Sequence, residues 1–189
     1  GTNPTIWRVY TQRYDAIGKP LGAEVQVSPD SGINASSKLV AMPDGGYFIA
    51  WSRSNEMFGY RYDATGLLTS SYLMPSNSIV SPMNDGGFIV VSSVDSGNST
   101  LSNIVAKRYS SSGLLLTDTW IVNTTTAGYQ SSQVVTTLAD GGFVVAWASD
   151  SQDGSGSGVY AQRYLANGSA ASLEFRVNKA TVGEQTRHH

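Results

Sequence analysis

At 189 residues the chain is long enough for a sizeable core, and 40 % hydrophobic content is globular, yet only 14 % of residues are charged and the net charge is −2. So weak a charge argues against nucleic-acid and anionic-membrane partners, which demand clustered Lys and Arg. With no cysteine there are no disulfide staples or thiolate metal sites, and no apolar run approaches the roughly 20 residues of a membrane span.

In chain order, Val9-Tyr-Thr-Gln-Arg-Tyr14 reads as a strand, Gly18 as a turn, and Ala23-Glu-Val-Gln-Val27 as the returning strand. Ser37–Met42 and Tyr47–Trp51 then flank Asp44-Gly45-Gly46, a pair of strands around a turn. An Asp-Gly step between apolar runs predicts the two positive-φ positions of a type I′ hairpin. Phe58-Gly-Tyr-Arg-Tyr62 with Gly66 repeats the opening strand and turn. A worn copy of the Asp-Gly-Gly phrase follows at Asp85, then Val105-Ala-Lys-Arg-Tyr109 with Gly113. The best copies come last: Leu138-Ala-Asp-Gly-Gly-Phe-Val-Val-Ala-Trp147, Val159-Tyr-Ala-Gln-Arg-Tyr164 with Gly168, and Leu173-Glu-Phe-Arg-Val-Asn178. No stretch holds helical apolar spacing over three turns.

A period of roughly fifty residues, with four short strands in meander order, predicts an all-β, β-propeller-type array of four-stranded antiparallel blades. About three and a half repeats are expected: a half blade at 6–27 and blades at 36–75, 77–123 and 131–178, all in a single repeat domain. Residues 179–189 read as a linker and tag remnant, so His188 and His189 are left out of any chemistry. Four Arg-Tyr hairpins stand against only three Asp-Gly-Gly hairpins. The mismatch predicts an open or partial ring that continues in a longer array or completes itself by association, as a homodimer.

Among chemistry-bearing residues, the absence of Cys and the terminal placement of both His remove Cys-His and Ser-His-Asp arrangements. Asp44, Asp85 and Asp140 recur once per repeat, as do Arg13, Arg61, Arg108 and Arg163. Residues that recur this way serve the repeat, because catalysis needs asymmetry; the rival reading of the arginines is a carboxylate clamp for an acidic sugar. In the loop Ser149–Gly158, Asp150 and Asp153 with loop carbonyls are the best calcium candidates, against the plainer reading of a solvated hairpin loop. No other cofactor is expected. Asn34, Asn98, Asn123 and Asn167 each begin an Asn-x-Ser/Thr acceptor sequence. Trp51 and Trp147 occupy matching positions, held by Ser92 in the middle copy, and read as core. Trp7, Trp120 and Tyr129 are the expected exposed aromatics for stacking on a ligand.

Together these phrases resemble a tandem repeat of large bacterial secreted and surface proteins, including RTX-type adhesins and haemolysin-like calcium-binding proteins. The resemblance covers nearly the whole chain; it is strong in the last unit and weak in the middle one. It implies an array displayed outside the cell, secreted or on the surface, and carries over no catalytic residue. The leading expectation is a non-enzymatic binding or assembly module of an adhesin-like protein, with a glycan or cell-surface ligand. A carbohydrate-binding propeller lectin and a sialidase-like glycoside hydrolase fragment are the alternatives.

Overall fold

The computed structural model describes residues 7–29, 34–53, 55–98, 101–150 and 152–180. The chain forms two compact units, Gly1–Ser76 and Asn77–His189. Among the described residues every regular element is a strand.

Unit 1 holds a two-stranded sheet, β1 (Tyr10–Thr11) and β2 (Val25–Gln26). It also holds a four-stranded sheet of β3 (Asn34–Ala41), β4 (Tyr47–Arg53), β5 (Glu56–Tyr62) and β6 (Leu68–Pro75) in sequential order. Unit 2 repeats that meander twice. Its first sheet is β7 (Ile79–Pro82), β8 (Phe88–Asn98), β9 (Leu101–Tyr109) and β10 (Trp120–Ile121). Its second is β11 (Gln130–Thr137), β12 (Phe143–Asp150), β13 (Ser157–Tyr164) and β14 (Phe175–Arg176). All strand pairs are antiparallel.

The turns are built differently from the type I′ expectation. Gly45 N–H donates to Met42 C=O at 3.0 Å and Met42 N–H to Gly46 C=O at 2.9 Å, with positive φ at Gly45 (81°) but not at Asp44. The same pattern recurs at Gly86 and Gly141. This is a three-residue loop with a glycine bulge, in which only one position must be left-handed. The Asp is thereby freed for another role. Its Oδ1 accepts the N–H of the second glycine at 3.0 Å, in Asp44→Gly46, Asp85→Gly87 and Asp140→Gly142 alike.

Alternation along the strands places the cores. In unit 1, Val27, Ile49, Trp51 and Tyr62 form a buried cluster joined by Val9, Tyr47, Phe58 and Tyr60, which seats the β1–β2 hairpin on the four-stranded sheet. In unit 2, Met83, Ile89, Val91, Ile104, Ala106 and Val122 of one sheet meet Phe143, Val145, Trp147, Tyr160 and Tyr164 of the other. Outer strands follow a size rule: Tyr72, Trp120 and Phe175 lie opposite Gly59, Ala106 and Ala161. A small residue on the inner strand leaves room for the ring, and a Cβ on Gly59 would lie 2.4 Å from the Phe48 ring.

Burial pushes the phenols of Tyr62 and Tyr164 up to about 12, with Tyr47 and Tyr60 adding to the effect at Tyr62. Folding thus favours the neutral phenol. The stabilisation is complete below an ordinary tyrosine value near 10 and is lost as pH rises through about 12. Urea midpoints should fall across that window. Tyr164→Phe, which loses the hydrogen bond to Val122 C=O (3.1 Å), should be less stable at pH 7 but show a flatter alkaline decline; an unchanged slope would refute this origin.

Candidate functional site

Two kinds of surface emerge, one made of recurring residues and one of residues that do not recur. The recurring residues are absorbed by the fold. Arg61, Arg108 and Arg163 each pair with the aspartate of the preceding hairpin in the same sheet: Asp44 (2.5 Å), Asp85 and Asp140. The aromatic residue after each Asp-Gly-Gly stacks on the tyrosine after each arginine. Ring centroids are 4.8 Å apart for Tyr47–Tyr62, 4.8 Å for Phe88–Tyr109 and 5.0 Å for Phe143–Tyr164.

Close approach explains the second glycine of the phrase. A Cβ at Gly46, Gly87 or Gly142 would lie 2.3, 2.3 or 2.6 Å from the carbonyl oxygen of Tyr62, Tyr109 or Tyr164. The two phrases are two halves of one latch: ion pair, stacked rings and a glycine against a carbonyl. At Asp44, burial pushes the carboxyl up, but the Gly46 amide and the Arg61 guanidinium outweigh it and hold it below the ordinary carboxylate range. Arg13 has no hairpin aspartate among the described residues. It donates instead to the carbonyls of Thr65 and Ala64, the latter at 2.6 Å. Each of the four repeat arginines is thus engaged by partners within its own unit.

Asp150 and Asp153, the calcium candidates, are both engaged. Asp150 Oδ1 accepts from Ser157 Oγ, while Asp153 Oδ1 accepts from Ser155 N–H at 3.3 Å and its Oδ2 lies 3.8 Å from Arg176 Nη1. Among the described residues no group of three or more His, Cys, Asp or Glu side chains is placed to hold a metal ion. Glu174 ties the same loop to a neighbouring segment, accepting from Gln152 Nε2 (2.5 Å), Thr124 N–H (2.6 Å) and Thr124 Oγ1 (2.9 Å).

The aromatic candidates part company. Trp7 and, less fully, Tyr129 are exposed. Trp120 is not the presented platform expected of it: its ring is half-buried against the unit 2 core, 6.1 Å from the Tyr164 ring. Its register position, equivalent to Tyr72 and Phe175, is a packing position. Asn123 is also withdrawn from the surface. It is buried, accepts from Ile104 N–H at 2.7 Å and donates to Asn103 Oδ1 at 2.8 Å, so it is no glycan acceptor in the folded chain.

The non-recurring surface lies in unit 1. Phe58, Tyr60, Ser71, Tyr72 and Leu73 line a shallow groove of about 270 Å³ across β5 and β6. Buried Trp51, opposite Phe58 on β4, packs against both rings on its floor, stacked on Phe58 at 5.8 Å and edge-on to Tyr60 at 4.7 Å. By register with the arginines, Tyr60 is replaced in the other repeats by Gln12, Lys107 and Gln162, and Phe58 by Tyr10, Val105 and Tyr160. The sequence signal for this groove was the alternation of three aromatics in Phe58-Gly-Tyr60-Arg-Tyr62, which no other copy has.

No protein-family model matches the chain, and no curated protein sequence is similar to it. Among solved structures, the chain is similar to the crystal structure of endo-arabinase from Bacteroides thetaiotaomicron VPI-5482, with 10 % identity and a TM-score of 0.44. The match covers 90 % of this chain and 65 % of that one, so this chain spans less than two thirds of that structure's length. That structure is an enzyme's, which stands against the expectation of a non-enzymatic module.

Proposed function

We propose that this chain is a carbohydrate-binding segment of a β-propeller-type protein, with the groove over Phe58 and Tyr60 as its sugar-contact surface. The observation supporting it is the pair of neighbouring rings packed against buried Trp51 on the adjacent strand. A sugar ring presents a face of C–H groups, polarised positive, that rests favourably on the negative face of an aromatic ring. Rings fixed by packing lose little entropy on binding.

The groove lining carries no charge, and the Ser71 and Tyr60 hydroxyls supply polar groups. These features suit a neutral saccharide. At about 270 Å³ the groove is smaller than the roughly 300–1,000 Å³ of drug-sized sites and suits a single sugar unit. The placement also fits a division of labour in which recurring residues maintain the array and non-recurring ones recognise the ligand. The propeller reading draws its support from three four-stranded antiparallel meanders in succession.

The test is a screen of the chain against neutral oligosaccharides, followed by calorimetric titration of those that bind. Tyr60→Gln, which installs the residue of two other repeats, should leave the fold intact and weaken binding about tenfold, the equivalent of one lost stacking contact. Binding that survives Tyr60→Gln but disappears in Trp7→Ala or Tyr129→Ala would place the site elsewhere, and no binding to any neutral saccharide would overturn the reading.

A further inference from the structure

The latch closes three times in this chain, and one Arg-Tyr hairpin stands outside it. Strands β5, β9 and β13 are each paired along both edges, whereas among the described residues β1 is paired only with β2. Val9 and Arg13 turn their carbonyls to the β2 side, accepting from Val27 N–H (2.9 Å) and Leu21 N–H (2.8 Å). By the two-residue alternation of an antiparallel strand, Tyr10 and Gln12 turn their backbone groups to the other edge.

Both latch residues on this hairpin lack their usual mates. Arg13 reaches only neutral carbonyls, at Thr65 and Ala64, where the other three arginines hold a carboxylate. Tyr14 is 58 % exposed, where Tyr62 and Tyr164 under their stacked partners are 6 % and 3 % exposed. An unpaired strand edge, an arginine without an acid and a bare ring thus lie together on β1 and the residues that follow it. The same three features are satisfied everywhere else by a single element, the Asp-Gly-Gly-aromatic hairpin.

We propose that the Val9–Val27 hairpin is an acceptor for a separate β-hairpin carrying Asp-Gly-Gly followed by Phe or Tyr. The second strand of the incoming hairpin would add antiparallel to β1, as β4 lies on β5, with its aspartate on Arg13 and its aromatic ring on Tyr14. A second copy of this chain is not the occupant. Its three Asp-Gly-Gly hairpins are closed on their own arginines, and each would have to leave its sheet to serve.

The experiment uses the full chain and a fluorescent peptide of residues 130–150 with a trilysine tail for solubility, read by anisotropy. Saturable one-to-one binding is expected. It should weaken about tenfold with Arg13→Gln in the protein, or with Asp140→Asn in the peptide. Combining the two changes should weaken it no further, because one ion pair cannot be lost twice. Gln12→Pro, which removes an edge N–H, keeps the backbone hydrogen bonds to the β2 side and gives up only the side-chain bonds of Gln12 to the Arg13 and Gly22 carbonyls, should abolish binding, and circular dichroism of each variant verifies its fold. Absence of saturable binding, fully additive effects of the two charge changes, or a dimer that the peptide fails to dissociate would each overturn the proposal; the last would make a second copy the occupant.

Discussion

Trp147→Ala should lower the unfolding free energy of unit 2 by about 3–5 kcal/mol. The indole is fully buried and stands in the cluster where β8 and β9 meet β12 and β13. It lies opposite Tyr160 on the neighbouring strand, so its loss opens a cavity walled by rigid sheet backbones that cannot collapse. Trp147→Phe keeps most of the apolar contact and should cost less than half as much. The middle copy shows what filling this position with a small polar residue requires. Ser92 is buried there with its hydroxyl 2.7 Å from the Ser78 hydroxyl, so the loss of volume is accompanied by a polar partner. Urea unfolding followed by far-UV circular dichroism reads both variants, and a loss under about 1 kcal/mol for Trp147→Ala would show that the indole is not a core residue.

Asp44→Asn should destabilise unit 1 by about 2–3 kcal/mol, while Asp140→Asn should cost at most about 1 kcal/mol in unit 2. The same latch is involved in both, but the arginine side chain is 2 % exposed at Arg61 and 43 % at Arg163. Neutralising Asp44 leaves a buried guanidinium without its counter-charge, whereas water takes over at Arg163. A pH signature accompanies the difference. Asp44 titrates below the ordinary carboxylate value, so its ion pair contributes fully above that value and is lost as pH falls through the lower, folded one. Unit 1 should therefore lose stability in acid, and Asp44→Asn should flatten that limb. Equal costs for Asp44→Asn and Asp140→Asn would contradict the argument from burial.

Much of this was legible in the residues themselves, because a repeated phrase reports its own strand boundaries. The two hairpin types, their order and the four-stranded meanders follow from the spacing of Asp-Gly-Gly and Arg-Tyr. The latch was harder to see. Asp44 and Arg61 are 17 residues apart, and the other two pairs 23, so recurrence alone does not show that they touch. Only the strand register brings them together. The type I′ expectation failed because Asp-Gly is compatible with two turn geometries, and the second glycine, pressed against a tyrosine carbonyl, favours the bulged one. Trp120 misled because its mates in register are Tyr72 and Phe175, a pattern of outer-strand aromatics opposite small residues that becomes visible only once Gly59, Ala106 and Ala161 are seen across from them. The Phe58–Tyr60 groove was hidden for a related reason. Its rings continue a recurring strand, and what singles them out is the Trp51 side chain beside them, brought opposite Phe58 by the register of β4 on β5.

The most direct test of the account is a double-mutant cycle between Asp44 and Arg61, read by urea unfolding of Asp44→Asn, Arg61→Gln and the two combined. If the recurring phrases are halves of one latch, the two residues should couple by more than about 1 kcal/mol, with the double variant little worse than the poorer single one. Additive losses, with coupling near zero, would mean that the phrases recur for separate reasons and that neither the latch nor the acceptor role of Arg13 stands.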